Sequence, residues 1–95
     1  MKKFVSIGHW DFNKHHVTCV AGDSSNRAEF ESDLKANGFV SYMVFSEQRI
    51  AKYKAADIFG RMDMISSRNR HALAVESYLN ECMDIIEKKL AGKMI

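Results

Sequence analysis

The 95-residue sequence contains no proline and only two cysteines. It also lacks low-complexity tracts, internal repeats and any segment with the composition of a linker. These absences exclude repeat architectures and tethered subdomains. The length fits a single core, since domains with one core typically span about 50 to 200 residues. We therefore expect residues 1–95 to form one small domain.

The two cysteines, Cys19 and Cys82, each stand inside an apolar pattern. Such isolated cysteines are typical of buried free thiols in a reducing compartment. No apolar run approaches the roughly 18 residues that cross a bilayer, and the segment after Met1 lacks a signal-peptide cleavage pattern. We expect a cytoplasmic protein with no membrane partner.

The five glycines are scattered, so neither a GxGxxG nor a Walker phosphate loop can be written. CxxC, HxxxH and HExxH patterns are also missing. Hydrolysis would need a nucleophile, a base and an oxyanion donor together, and the pairs on offer are Cys19 or Ser6 with His9, and Cys82 with His71. We expect no cofactor and no catalytic residues.

Two short alternating runs near the start predict a β-hairpin, over residues 4–10 and 16–21. A three-residue loop, residues 12–14, sets a register in which residues of apolar character oppose each other. That register pairs Val5, Ile7 and His9 with Ala21, Cys19 and Val17.

Capping signals divide the middle of the chain. Asn26 followed by Glu29 predicts a helix over 27–37 that ends at Gly38, and the apolar run 39–45 predicts a third strand. Ser46 then predicts the start of a second helix. Helical spacing continues to Ile65 despite an intervening glycine, and a short strand over 61–65 is the rival interpretation.

An apolar stripe near the end of the chain predicts an amphipathic helix over 69–90 that stops at Gly92. Its members are Val75, Leu79, Cys82, Ile86 and Leu90. The element order β-β-α-β-α-α predicts a small α+β domain with a three-stranded, mainly antiparallel sheet in the order 2-1-3. The helices are expected to pack on one face of that sheet.

The other sheet face would carry aromatic side chains. One side of the third strand joins it, either the set Val40, Tyr42 and Val44 or the set Phe39, Met43 and Phe45. The sequence is compatible with an open face and with one covered by the helices after Ser46. Because exposed apolar area marks interfaces, the first hypothesis is a non-catalytic module that binds another protein or itself, as in a homodimer or a small inhibitor. The residues predicted to contact the partner are Phe4, Trp10, Phe12, His16, Thr18 and Tyr42.

Charge offers an alternative function. The net charge is only +2, but residues 49–70 hold six basic and two acidic side chains, an excess of four. This segment is either a solvated helix face or a nucleic-acid contact. The predicted nucleic-acid contacts are Arg49, Lys52, Arg61, Arg68 and Arg70.

The histidines of the hairpin provide the third hypothesis, a small metal-binding or enzymatic protein that uses His9, His15 and His16. Zinc needs three or four ligands that converge tetrahedrally. The predicted register places His9 and His16 on opposite faces, so we expect no metal ligand among them.

Overall fold

The computed structural model describes residues 1–66 and 69–92. The strands are β1 (Lys2–Trp10), β2 (Thr18–Ser24) and β3 (Phe39–Ser46). The helices are α1 (Arg27–Ala36), α2 (Glu47–Ala55), α3 (Ile58–Ser66) and α4 (Ala72–Leu90). Arg68, a predicted nucleic-acid contact, lies outside the described residues.

The sheet is antiparallel throughout and has the order β2-β1-β3, which confirms the predicted topology and α+β class. The hairpin register is also confirmed, since Val5 pairs with Ala21 and Ile7 with Cys19. The loop is wider than expected. Pairing between β1 and β2 ends at Gly8 and Thr18, and residues 11–17 form the connection.

A β-bulge interrupts the pairing of β1 with β3. Ile7 pairs with Met43 but Gly8 pairs with Ser41, so Tyr42 is the extra residue. Glycine is required opposite it, because a Cβ at position 8 would lie 1.9 Å from the Val40 carbonyl oxygen. Neither predicted set of β3 residues therefore shares one face, because Phe39 and Val44 lie in one apolar cluster and Phe45 lies in the other.

The capping signals mark helix ends correctly. The Asn26 side chain accepts a hydrogen bond from the Glu29 amide at 2.9 Å, and Ser46 accepts one from the Arg49 amide at 3.2 Å. Gly38 ends α1 with a φ of +83°. The predicted second helix is two helices, because Asp57 accepts from the Gly60 amide at 2.8 Å and starts α3. Residues 61–65 are helical.

Helices cover both faces of the sheet, so the expectation that all of them share one face is wrong. On one face α2, α3 and α4 pack over a core that includes Val5, Ile7 and Phe45. On the other face α1 contributes Phe30 and Leu34 to a second apolar cluster. The rest of that cluster comes from the sheet and consists of Phe4, Phe39 and Val44, with Trp10 and Val20 at its margin.

The predicted stripe of α4 forms the centre of the larger core. Val75, Leu79 and Ile86 are fully buried. Cys82 is only half-buried and has non-helical backbone angles (φ −116°, ψ 19°), so α4 is kinked there. Across the described ranges, none of the helices is long and apolar enough to cross a lipid bilayer.

Candidate functional site

The structure separates the six residues predicted to contact a partner. Phe4 is 6% exposed and stacks on Phe30 of α1 at 5.5 Å between ring centroids, so it belongs to the core. Tyr42 lies on the opposite side of the sheet. The remaining four stay together at one end of the hairpin, and we call them the aromatic hairpin end: Trp10, Phe12, His16 and Thr18.

The aromatic hairpin end presents a ring to solvent. Phe12 is 85% exposed, yet its ring stacks on Trp10 with 6.0 Å between centroids and 14° between planes. Trp10 is half-buried because its other contact is an edge-on packing against Phe39 at 5.0 Å. Trp10 thus links the second apolar cluster to an exposed aromatic side chain.

A groove of about 520 Å³ begins at Trp10 and follows β2, an outer strand of the sheet. Its walls include Thr18, Val20 and Lys89. The Lys89 ammonium donates a hydrogen bond to the Cys19 carbonyl at 2.9 Å. Lys89 belongs to α4, so this helix places a positive charge beside the outer strand β2, and a charge at a sheet edge disfavours unselective pairing with other strands.

A second surface forms at the β3 edge, where arginines from three parts of the chain converge. Arg27 begins α1, Arg49 lies in the first turn of α2, and Arg70 precedes α4. They line a cleft of about 460 Å³ together with Tyr42, Asn69 and His71, and we call it the basic cleft. Asp63 is the acidic residue among those that line the basic cleft.

Arg49 is held in place by neutral groups. Its Nη2 donates to the Met64 carbonyl at 3.2 Å, and its guanidinium lies 5.4 Å from the centre of the Phe45 ring. Burial, and then the positive charge of Arg27, lower the pKa of Arg49. The guanidinium is still a cation at neutral pH. Because Arg27 repels the Arg49 guanidinium, an anion bound beside Arg49 would be stabilised.

Counter-charges in the basic cleft are scarce. In residues 1–66 and 69–92 the ion pairs are Arg27 with Glu31 and Lys54 with Glu87, so neither Arg49 nor Arg70 has a carboxylate partner there. The first turn of α4 contains no acidic residue, and its N-cap residue His71 makes no side-chain capping bond within the described part. The positive end of the α4 dipole therefore adds to the field of the arginines.

Two aromatic rings form one wall of the basic cleft. The imidazole of His71 stacks on Tyr42, with 3.9 Å between centroids and 12° between planes. The Tyr42 hydroxyl is hydrogen-bonded to His9 Nδ1 at 2.5 Å. His71 is an exposed residue, and Tyr42 covers one face of its ring.

Two other predicted nucleic-acid contacts, Arg61 and Lys52, lie outside the basic cleft. Arg61 donates to the Tyr53 and Lys54 carbonyls, each at 2.9 Å, and its guanidinium lies 5.1 Å from the Tyr53 ring centre. It therefore stabilises the end of α2. Lys52 is exposed on α2 and does not line the basic cleft.

Neither Cys19 nor Ser6 pairs with His9, as hydrolysis would require. Cys19 Sγ accepts from the Tyr78 hydroxyl at 3.2 Å, and the Ser6 hydroxyl is hydrogen-bonded to Ser41. His9 contacts Tyr42 instead of either nucleophile. Within the described ranges, no three His, Cys, Asp or Glu side chains come together as metal ligands do.

Sequence reasoning missed an exposed apolar strip on α3. Ile58, Phe59 and Met62 are 65%, 74% and 48% exposed, while Ile65 is buried in the core. Spacing suggested that Ile58 and Met62 face inward with Ile65. Two sequence features could have indicated this strip. Asp57 marks a helix start, and Phe59 beside Ile58 places apolar residues on more than one side of that helix.

The chain matches no family model, no curated protein and no solved structure.

Proposed function

We propose that this protein is a non-catalytic interaction module that binds another protein through the aromatic hairpin end. The main observation behind this proposal is that Phe12 is 85% exposed while its ring stacks on the half-buried Trp10. Each Å² of apolar surface that is removed from water contributes about 25 cal/mol of favourable free energy. Aromatic anchors that a partner buries dominate the free energy of many protein interfaces.

The groove beside Trp10 supports the same proposal. An extended segment of a partner can lie along an outer strand, where main-chain groups provide affinity and side-chain pockets provide selectivity. β2 offers such an edge, and Thr18 and Val20 line the groove next to the aromatic anchor. The groove and the anchor together form one continuous contact surface.

The test is affinity purification from extracts of the producing cells, with nuclease present, followed by identification and titration of the retained protein. Phe12→Ala removes the exposed ring, and we expect it to weaken the complex by about tenfold or more, which corresponds to about 1.4 kcal/mol. Phe59→Ala is the matched control, because it removes a ring that is 74% exposed from α3. We expect the control to bind as the unsubstituted chain does.

Sedimentation velocity of the purified chain tests self-association with the same two variants. A dimer lost in Phe12→Ala identifies a second copy as the partner. If Phe59→Ala weakens the complex while Phe12→Ala leaves it intact, the contact surface is on α3 and the proposal is wrong.

A further inference from the structure

Within residues 1–66 and 69–92, Arg49 and Arg70 of the basic cleft have no carboxylate partner. Arg49, Arg70 and the start of α4 meet Asp63 in the cleft, whereas Arg27 is paired with Glu31, and Arg49 is half-buried. Removing a guanidinium from water is costly unless an anion compensates it. Guanidinium groups bind phosphate oxygens with paired hydrogen bonds, which is why arginine recurs in phosphate sites.

The aromatic wall adds a second kind of contact. Tyr42 supports one face of the His71 ring, and the bond from His9 to the Tyr42 hydroxyl fixes the orientation of that support. His71 is exposed, so a planar ring from solvent can stack on the imidazole on the side away from Tyr42. Bases stack on aromatic side chains without regard to sequence, because every base has a π face.

We propose that the basic cleft is a nucleotide site, in which Arg49 and Arg70 hold the phosphate and the base packs on His71. The volume of about 460 Å³ lies within the range of about 300 to 1,000 Å³ that small-molecule sites occupy. The site is separate from the aromatic hairpin end and does not depend on the function proposed for it. Its ligand is a free nucleotide or one nucleotide of a single strand.

Titration calorimetry in phosphate-free buffer, supported by amide NMR shifts, tests the proposal on the full chain. The probes are inorganic phosphate, AMP and a short single-stranded RNA. We expect AMP to bind about tenfold more tightly than phosphate, because only AMP can stack. Arg70→Gln, at an exposed position, should weaken both by about tenfold. Arg49→Lys should do the same, since lysine keeps the charge and loses the planar fork.

Two further variants separate this site from general attraction. His71→Ala should remove the advantage of AMP over phosphate and leave phosphate binding unchanged. Lys52→Gln is the charge-matched control, and its affinities should equal those of the unsubstituted chain. RNA that binds far more tightly than AMP, with the same dependence on Arg70, identifies a strand as the source of the nucleotide. Equal affinities identify the free nucleotide.

Three results overturn the proposal. The first is absence of saturable binding for AMP and RNA at low salt. The second is an equal loss in Lys52→Gln and Arg70→Gln, which would assign binding to the overall positive field. The third is unchanged AMP affinity in His71→Ala, which would remove the base from the site.

Discussion

Gly8 marks the closest approach of the central strand to the bulge in β3. Gly8→Ala places a Cβ 1.9 Å from the Val40 carbonyl oxygen, and backbone cannot yield there as a flexible side chain could. We expect a loss of about 1–3 kcal/mol in the free energy of unfolding, measured by urea denaturation.

Gly22→Ala is the matched control on β2. Its added Cβ would lie 3.3 Å from Phe30 Cε1, a ring edge that can shift by a few tenths of an ångström. We expect a change within about 0.5 kcal/mol. Equal losses in the two variants would show that glycine flexibility, rather than the bulge, determines the effect.

Trp10 and Phe12 are stacked neighbours with different structural roles. Trp10→Ala removes a half-buried ring packed on Phe39, so we expect a cost of about 1.5–3 kcal/mol. Phe12→Ala removes a ring that is 85% exposed, and we expect a change within about 0.5 kcal/mol. Thermal and urea denaturation measure both. A stable Trp10→Ala variant would contradict the linking role of this residue.

Among the elements, α4 contributes most of the cover over the larger core. Leu79→Ala leaves a cavity at a position with 0% exposure, and we expect a cost of about 2–4 kcal/mol. Leu73→Ala, on the same helix at 83% exposure, should change stability by less than about 0.5 kcal/mol. Equal denaturation midpoints for the two would show that the stripe is not core.

Local chemistry made much of the secondary structure predictable. Asn26, Ser46 and Gly38 mark helix ends because capping depends on residues within one turn. The hairpin register was predictable because apolar residues recur with a period of two along both strands. The wider loop was not predictable, because its width depends on where β1 leaves β2 while it still pairs with β3 at Trp10 and Phe39.

Long-range packing decided what local patterns could not. Phe4 was expected on an open face, but α1 crosses that face and buries it. The bulge at Tyr42 changes which side chains of β3 share a face. It depends on the close approach of Gly8 to Val40, two residues that are distant in the sequence. The basic cleft likewise joins arginines that are distant in sequence, and a charge excess over 49–70 could not predict the contribution of Arg27.

The stability of the whole molecule should fall in alkali. Burial, and then the hydrogen bond to Cys19, raise the pKa of Tyr78 above its usual value. The unfolded chain releases this proton above about pH 10. The folded chain retains it at that pH, so the unfolded state binds fewer protons and the free energy of unfolding decreases as pH rises.

Tyr78→Phe tests this assignment through urea denaturation between about pH 8 and about pH 11. At neutral pH the variant should lose about 1 kcal/mol with the hydrogen bond to Cys19. The free energy of unfolding of the variant should fall less steeply as pH rises. The fall that remains should come from Tyr53, whose pKa is also raised by burial. An unchanged slope would show that Tyr78 does not contribute to the decline.

The position of β1 in the centre of the sheet has a consequence for synthesis of the chain. The central strand is made first, and its apolar face with Val5 and Ile7 is covered by α4, which ends at Leu90. Translation proceeds at about 5–20 residues per second, so roughly 2–9 s separate the end of β3 from the end of α4. During that interval α2 and α3 can cover only part of this apolar face, so we expect the nascent chain to be more prone to aggregate then than after α4 has been made.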